Sequence, residues 1–449
     1  MSNDTQSVSE SRLALLAAAR EVFKKENPPK IFTPGETYIP VTAKVVDEAD
    51  LSLLIDASLD MWLTAGRYAR QFESEFGKYF GRSTKSLLVN SGSSANLVAI
   101  SSLGSPELAK IEGLQPLLPG DEIITVAAGF PTTVNPILQN GWVPVFVDID
   151  ETTLNALPEK IMAAKTPRTR AVVLAHSLGN PYRADIIADW CKKEGLFLIE
   201  DCCDALGATI KNKPVGSFGE YSTSSFYPAH HITMGEGGAV MSKDGRFKKI
   251  AESIRDWGRD CWCEPGVDNT CKKRFGWTLG DLPPGYDHKY VYSHIGYNLK
   301  VTDMQAALGV SQLAKVDHFV SVRRANWQYL FDGIQSSAIL KENFKPILAT
   351  AETNPSWFGF PMYAHPRLNR EKIVATLEQR KVGTRLFFAG NLTKQPAYKN
   401  TNYRIHGDLS TTNKVMNSLF WIGVHPALDK QKMNYMLEQL EHVTKHCTT

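Results

Sequence analysis

Four cysteines in this chain could together supply the ligands of a metal site. Cys203 is followed by Cys261 after 57 intervening residues, by Cys263 after one more and by Cys271 after a further seven. Four thiolates are the complement that a [2Fe-2S] cluster or a zinc ion takes. The spacing matches neither a zinc finger nor a ferredoxin, so the residues alone point to a four-cysteine metal site without choosing the metal. Cys191, Cys202 and Cys447 read as structural or free thiols. A second group is the pair His230-His231, inside Ser-Phe-Tyr-Pro-Ala-His-His-Ile-Thr-Met-Gly-Glu-Gly-Gly-Ala-Val at 225–240. An imidazole can move a proton near neutral pH, since its unperturbed pKa is about 6.5. A third group is Asn90-Ser-Gly-Ser-Ser-Ala-Asn96, where Gly92 and Ser93 open a helix after an apolar strand. Backbone N–H groups and hydroxyls at a helix N-terminus suit a phosphate. Each of these alone could equally be an ordinary loop or turn.

The elements that must hold these groups are legible as alternating apolar runs and helix-length segments. Residues 87–89, 122–126, 144–147, 171–174 and 196–199 are short apolar runs separated by helical stretches. That alternation predicts an α/β fold with a mostly parallel sheet covered on both faces. Ligands bind such sheets beyond the carboxyl ends of the strands, where the candidate residues fall. Residues 9–26 are rich in helix formers and predict a helix lying on the body. Beyond about residue 320, helical patterns (320–339, 370–380) alternate with a strand (358–362), which predicts a smaller α+β domain. The expected division is a helical segment at 1–35, a large domain at 36–318 containing an irregular cysteine-bearing excursion at 255–292, and a small domain at 319–449. With 449 residues, 43% hydrophobic content and a net charge of +3, a full core is available and no nucleic-acid partner is indicated. No apolar run approaches the ~20 residues of a membrane span. The first residues lack a basic patch followed by an apolar run. A cytoplasmic protein is therefore expected.

Taken in order along the chain, several segments resemble the sugar aminotransferases of the DegT/DnrJ/EryC1/StrS family. They are Trp62-Leu-Thr-Ala-Gly-Arg67, Gly129-Phe-Pro-Thr-Thr-Val-Asn135, Glu200-Asp-Cys-Cys-Asp-Ala205, the 225–240 stretch and Gly296-Tyr-Asn-Leu-Lys300. The resemblance covers the chain from about residue 35 to the end. It implies a PLP-dependent transferase of fold type I. It also implies Asp201 against the pyridine nitrogen, Phe130 stacked on the ring, Asp204 near the ring hydroxyl, and Ser225 with Gly92 and Ser93 at the phosphate. Asn298 would reach the phosphate of the other subunit, which implies a homodimer with shared active sites. Lys300 and Arg385 are weaker candidates for a nucleotide pyrophosphate. One position departs from the family: His230 stands where its cofactor-binding lysine is found. An imidazole cannot form the lysine's covalent link, so pyridoxamine or pyridoxal phosphate would be held non-covalently, with His230 as the catalytic acid-base group.

Histidine at this position together with the cysteine spacing is similar to the iron-sulfur 3-dehydrases of that family. This implies a [2Fe-2S] cluster on Cys203, Cys261, Cys263 and Cys271. The implied substrate is a CDP-linked 4-keto-6-deoxyhexose that loses its C3 hydroxyl in 3,6-dideoxyhexose (O-antigen lipopolysaccharide) synthesis. An NAD(P)H-dependent iron-sulfur flavin reductase is implied as partner. Three other readings stay open: an ordinary nucleotide-sugar aminotransferase, opposed by the missing lysine; an iron-free 3-dehydrase, for which the cysteines would have no purpose; and a non-catalytic iron-sulfur scaffold, opposed by the intact cofactor residues.

Overall fold

The structure, a computed structural model, describes residues 9–448 apart from 82, 262, 264–268, 271, 273 and 278. Its centre is an eight-stranded sheet in the order Lys85–Val89, Gly238–Ser242, Tyr221–Ser225, Phe197–Asp201, Thr169–Ala175, Glu122–Val126, Val143–Val147, Arg404–Ile405. The last six are mutually parallel, and Gly238–Ser242 runs against both of its neighbours. The mostly parallel α/β sheet expected from the apolar alternation is therefore present.

Side chains along these strands alternate between two cores, as a period of two requires. Ile124, Val145, Val172 and Leu198 face one layer, while Ile123, Ala171, Val173, Phe197 and Ile199 face the other. Each such aliphatic removed from water is worth roughly 1.5–3 kcal/mol, so both faces must be covered. Two strands were not legible as apolar runs. Tyr221–Ser225 reads Tyr-Ser-Thr-Ser-Ser yet is wholly buried, because most of its hydroxyls, Ser224 excepted, have partners inside: Thr223 donates to Asn96 at 2.6 Å and Ser222 to the Gly216 carbonyl at 2.7 Å. Arg404–Ile405 is two residues long and is pinned by Arg404 donating to the fully buried Glu122 at 2.9 Å.

The C-terminal part forms a separate antiparallel sheet, Phe344–Pro346, Gly359–Ala364 and Leu419–Gly423, with Phe344–Pro346 at one edge. Helices Val316–Ser336, Arg370–Gln379 and Lys430–His446 pack on it around Leu330, Phe360, Ile373, Phe420 and Leu440. The boundary expected at 318/319 falls within the helix Val316–Ser336. The helix Glu10–Glu26 buries none of its residues fully. Arg12 anchors it by ion pairs to Asp56 (2.7 Å) and Asp60 (2.8 Å) of the helix Glu48–Leu59 and its C-cap. No helix among the described residues is long and apolar enough to cross a membrane.

Candidate active site

At the carboxyl ends of the parallel strands lies a cavity of about 940 Å³. Gly92, Ser93, Phe130, Asp201, Cys203, Asp204, Ser225 and His230 all line it. Residues scattered over some 140 positions of sequence thus share one wall, because successive parallel strands end on the same side.

Asp201 is the last residue of the strand Phe197–Asp201 and is nearly buried. One carboxylate oxygen accepts from Asn96 at 2.8 Å and from Thr133 at 2.7 Å; the other accepts from the Cys203 amide at 3.1 Å. Asn96 is itself held by Thr223. A buried charge so surrounded is fixed in direction, and a positive partner facing the cavity would complete it. Asn96 and Thr133 were missed in the sequence. Asn96 lies one helical turn after Gly92, on the same face as the phosphate-type turn, which is the signal that could have found it.

Two glycines are dictated by close approach. A Cβ on Gly92 would lie 2.4 Å from the Ser225 Cβ and 3.1 Å from the Cys203 sulfur, and one on Gly238 would lie 2.3 Å from the Ser91 carbonyl oxygen. The glycine-rich turn therefore presses against the start of the helix Gly92–Ser101. Phe130 stands half exposed beside the cavity, edge-on to Phe388 with ring centroids 6.3 Å apart. An aromatic left this open beside a cavity is available to stack on a flat ring.

His230 and His231 are neighbours with different surroundings. His230 lines the cavity, its Nδ1 lying 3.3 Å from Asp204 Oδ1 but out of hydrogen-bond alignment. Its carbonyl accepts from the buried Arg323 at 3.3 Å. His231 points away and donates from Nε2 to the Ser356 carbonyl at 2.9 Å, and burial pushes its pKa well below the ordinary value. His231 is a neutral packing group, whereas His230 is the group that faces the cavity. A further cavity residue not anticipated is His176, stacked on Tyr182 at 4.3 Å with Nε2 3.3 Å from Glu200. Glu200 also accepts three backbone amides, from Gly216, Phe218 and Gly219.

Among the described residues, the sulfurs of Cys203, Cys261 and Cys263 do not all lie within 4.8 Å of one another. Cys203 lines the main cavity, while Cys261 lines a different cavity of about 210 Å³ with Lys110, Arg246, Asp260 and His294. Cys263 accepts a hydrogen bond from Thr270 at 2.9 Å, and Cys271 lies outside the described residues. Among the described residues, the one trio of potential metal-ligand atoms within 4.8 Å of each other is His176, Glu200 and Cys202. The strand Phe197–Asp201 ends at Asp201, and Cys203 lines the main cavity, where burial and the Asp201 charge push its thiol pKa well above the ordinary value.

Asn298 does not line the main cavity of its own chain; its carboxamide oxygen accepts from Lys300 at 2.8 Å. Lys300 also lies 3.4 Å from Asp256 and 3.6 Å from the centre of the Trp257 ring, whereas Arg385 lines the cavity.

The parallel sheet with its carboxyl-end cavity is the architecture of fold type I PLP-dependent transferases. Within that class, the chain belongs to the DegT/DnrJ/EryC1/StrS aminotransferase family, which it matches over residues 45–441. It is 52% identical over 415 residues to the lipopolysaccharide biosynthesis protein RfbH of Salmonella typhimurium, covering 92% of this chain and 93% of that one. It is 50% identical over 444 residues to the dTDP-4-dehydro-2,6-dideoxy-D-glucose 3-dehydratase of Saccharopolyspora spinosa, covering 98% and 94%. Among solved structures it is similar to E. coli GDP-4-keto-6-deoxy-D-mannose-3-dehydratase with bound hydrated PLP. There the TM-score is 0.79 and the identity 29%, over 90% of this chain and all of that one.

Proposed function

We propose that this protein is a pyridoxamine-phosphate-dependent dehydratase that removes the C3 hydroxyl of a nucleotide-linked 4-keto-6-deoxyhexose. The observation that carries the reading is His230 facing the cavity beside Asp204, on the same wall as Asp201. Relatives named as 3-dehydratases and a solved neighbour with bound PLP support it. The residues fit the cofactor. Gly92 leaves a cradle that a Cβ would fill, Ser93 and Ser225 supply hydroxyls for its phosphate, and Phe130 offers a stacking face. When bound, the cofactor supplies an amine for the sugar's ketone and an electron-withdrawing ring.

The chain's own residues do the rest. Asp201, aligned by Asn96 and Thr133, holds a proton on the pyridine nitrogen. His230, whose Nδ1 lies 3.3 Å from Asp204, would take a proton from the cofactor's C4′ carbon and return one. Without a lysine, no covalent tether competes for C4′. Borohydride reduction of the cofactor-loaded protein tests this reading: no cofactor should become fixed to the chain, while His230→Lys should become labelled. Equal labelling of both proteins would sink it.

The finer parts of the reading are proposals of the same kind. The relatives carry dTDP- and GDP-linked names, so CDP is one of several nucleotides to compete against each other in binding. Replacing a hydroxyl by hydrogen consumes two electrons, for which we infer an NAD(P)H-dependent iron-sulfur flavin reductase as partner. A [2Fe-2S] cluster on Cys203, Cys261, Cys263 and Cys271 rests on their spacing, and iron and acid-labile sulfide in anaerobically purified protein test it. A homodimer that brings Asn298 to the partner's phosphate, a cytoplasmic setting, a role in O-antigen synthesis and the division into domains near 35 and 318 complete the proposal.

A further inference from the structure

Phe388, from the C-terminal part of the chain, lines the main cavity together with Phe130. It is the first central residue of a four-residue turn from Phe387 to Gly390, closed by the Gly390 amide donating to the Phe387 carbonyl at 2.8 Å. Its φ is 41°, in the left-handed region, whereas Ala389 after it has no positive φ. Turns of that kind take glycine at the first central position, because a Cβ there crowds its own backbone. A phenylalanine in this place is strained, and such strain persists only where the surroundings fix it.

The surroundings do fix it. Before the turn, Arg385 and Trp421 exchange backbone hydrogen bonds at 3.0 and 2.8 Å, and after it the Leu392 amide donates to the Ala127 carbonyl at 2.9 Å. Between them the Ala389 amide donates to the Gly129 carbonyl at 3.4 Å. The residue after Phe388 is thus bonded to the residue before Phe130. Phe387 is 1% exposed, so the turn divides two adjacent rings, one within the core and the next at the cavity.

Phe130 is the less constrained partner. It is the N-cap residue of the helix Pro131–Gln139 and stands half exposed. Its one ring contact among the described residues is Phe388, edge-to-face at 6.3 Å and 72°. A half-exposed ring can swing about its side-chain bonds, and an edge-to-face neighbour restricts it.

We propose that Phe388 is a positioning residue: its left-handed turn sets a ring against Phe130 and so fixes the plane in which Phe130 stacks on the cofactor ring. This rests on the reading of Phe130 as the stacking face, and adds the residue that aims it.

The test titrates pyridoxamine phosphate into the full chain. Protein fluorescence reads the affinity, and circular dichroism in the cofactor's absorption band reads how firmly the ring is oriented. Phe130→Ala should weaken binding about tenfold and lower the ellipticity. Phe388→Leu, which keeps apolar bulk but no ring, should weaken binding about threefold to tenfold and also lower the ellipticity, while Phe388→Tyr should stay within about twofold of wild type. In the Phe130→Ala background Phe388→Leu should change affinity by less than about twofold, since no ring is left to aim. An equal loss in both backgrounds overturns the proposal, because Phe388 then acts without Phe130; so does the absence of loss in either. Should Phe130→Ala itself change neither affinity nor ellipticity, the stacking reading fails, and this proposal with it. Melting of the cofactor-saturated Phe388→Gly and Phe388→Ala variants, which both lack the ring, tests the turn. The glycine variant should melt about 1–2 °C higher, because it adopts the left-handed backbone freely. A lower value for glycine would show that the turn is unstrained and would overturn the proposal.

Discussion

The carboxyl-end wall and the cysteine-bearing excursion supply candidate chemistry by opposite means. On the wall the central groups are held by buried neighbours: Asp201 by Asn96 and Thr133, Asn96 by Thr223, and the helix start by two glycines under contact. Around the excursion, Phe275, Tyr286, Tyr290, Tyr292 and Ile295 present large apolar faces to water in the single chain, Ile295 at 97% exposure. The wall is pre-organised by a sheet that must form in any case. Three of the four cysteines expected as ligands lie in the excursion, and Cys261 and Cys203 line different cavities, whereas Asp201 and His230 line one and the same cavity.

That contrast can be broken most sharply at His230. His230→Asn should lower C4′ proton exchange and C3 oxygen exchange by about 10³-fold, within the range for loss of a positioned acid-base group, while cofactor still binds. Exchange followed by NMR and mass spectrometry measures it, and a loss below tenfold would place the base elsewhere. Next in size is Asp201→Asn, expected to slow the same exchange about 10²-fold with a smaller change in cofactor affinity. The melting temperature should fall as well, because Asn96 and Thr133 lose a charged acceptor at roughly 1–3 kcal/mol.

Gly92→Ala tests the cradle itself. The added Cβ meets Ser225 at 2.4 Å, so the serine must move, and cofactor affinity measured by fluorescence quenching should weaken about tenfold, the scale of an interaction worth ~1–3 kcal/mol. The smallest effect on dehydration belongs to the excursion. Cys261→Ser or Cys263→Ser should leave C3 oxygen exchange within about twofold of wild type, as for residues outside the reacting wall, while abolishing reductase-coupled formation of the 3-deoxysugar. Loss of both activities in a folded, cofactor-loaded variant would tie the two regions into one unit and end the comparison.

The sequence by itself determined the α/β class, five strands of the central sheet and eight of the residues that line the wall, but not Asn96 or His176. Short continuous apolar runs and helix-opening glycine and serine are local consequences of local chemistry, so they are legible in one dimension. His230 stood out for the same reason, as a chemical departure inside a recognisable segment. Only the tertiary structure decided the rest. The polar strand Tyr221–Ser225 has no apolar signature, yet it is buried because most of its hydroxyls are satisfied by residues up to 127 positions away. The supports of Asp201, the division of labour between His230 and His231, and the separation of Cys203 from Cys261 likewise follow from which elements end side by side. Long-range hydrogen bonds and close backbone approaches are pairwise facts of the folded chain, and spacing along the sequence does not encode them.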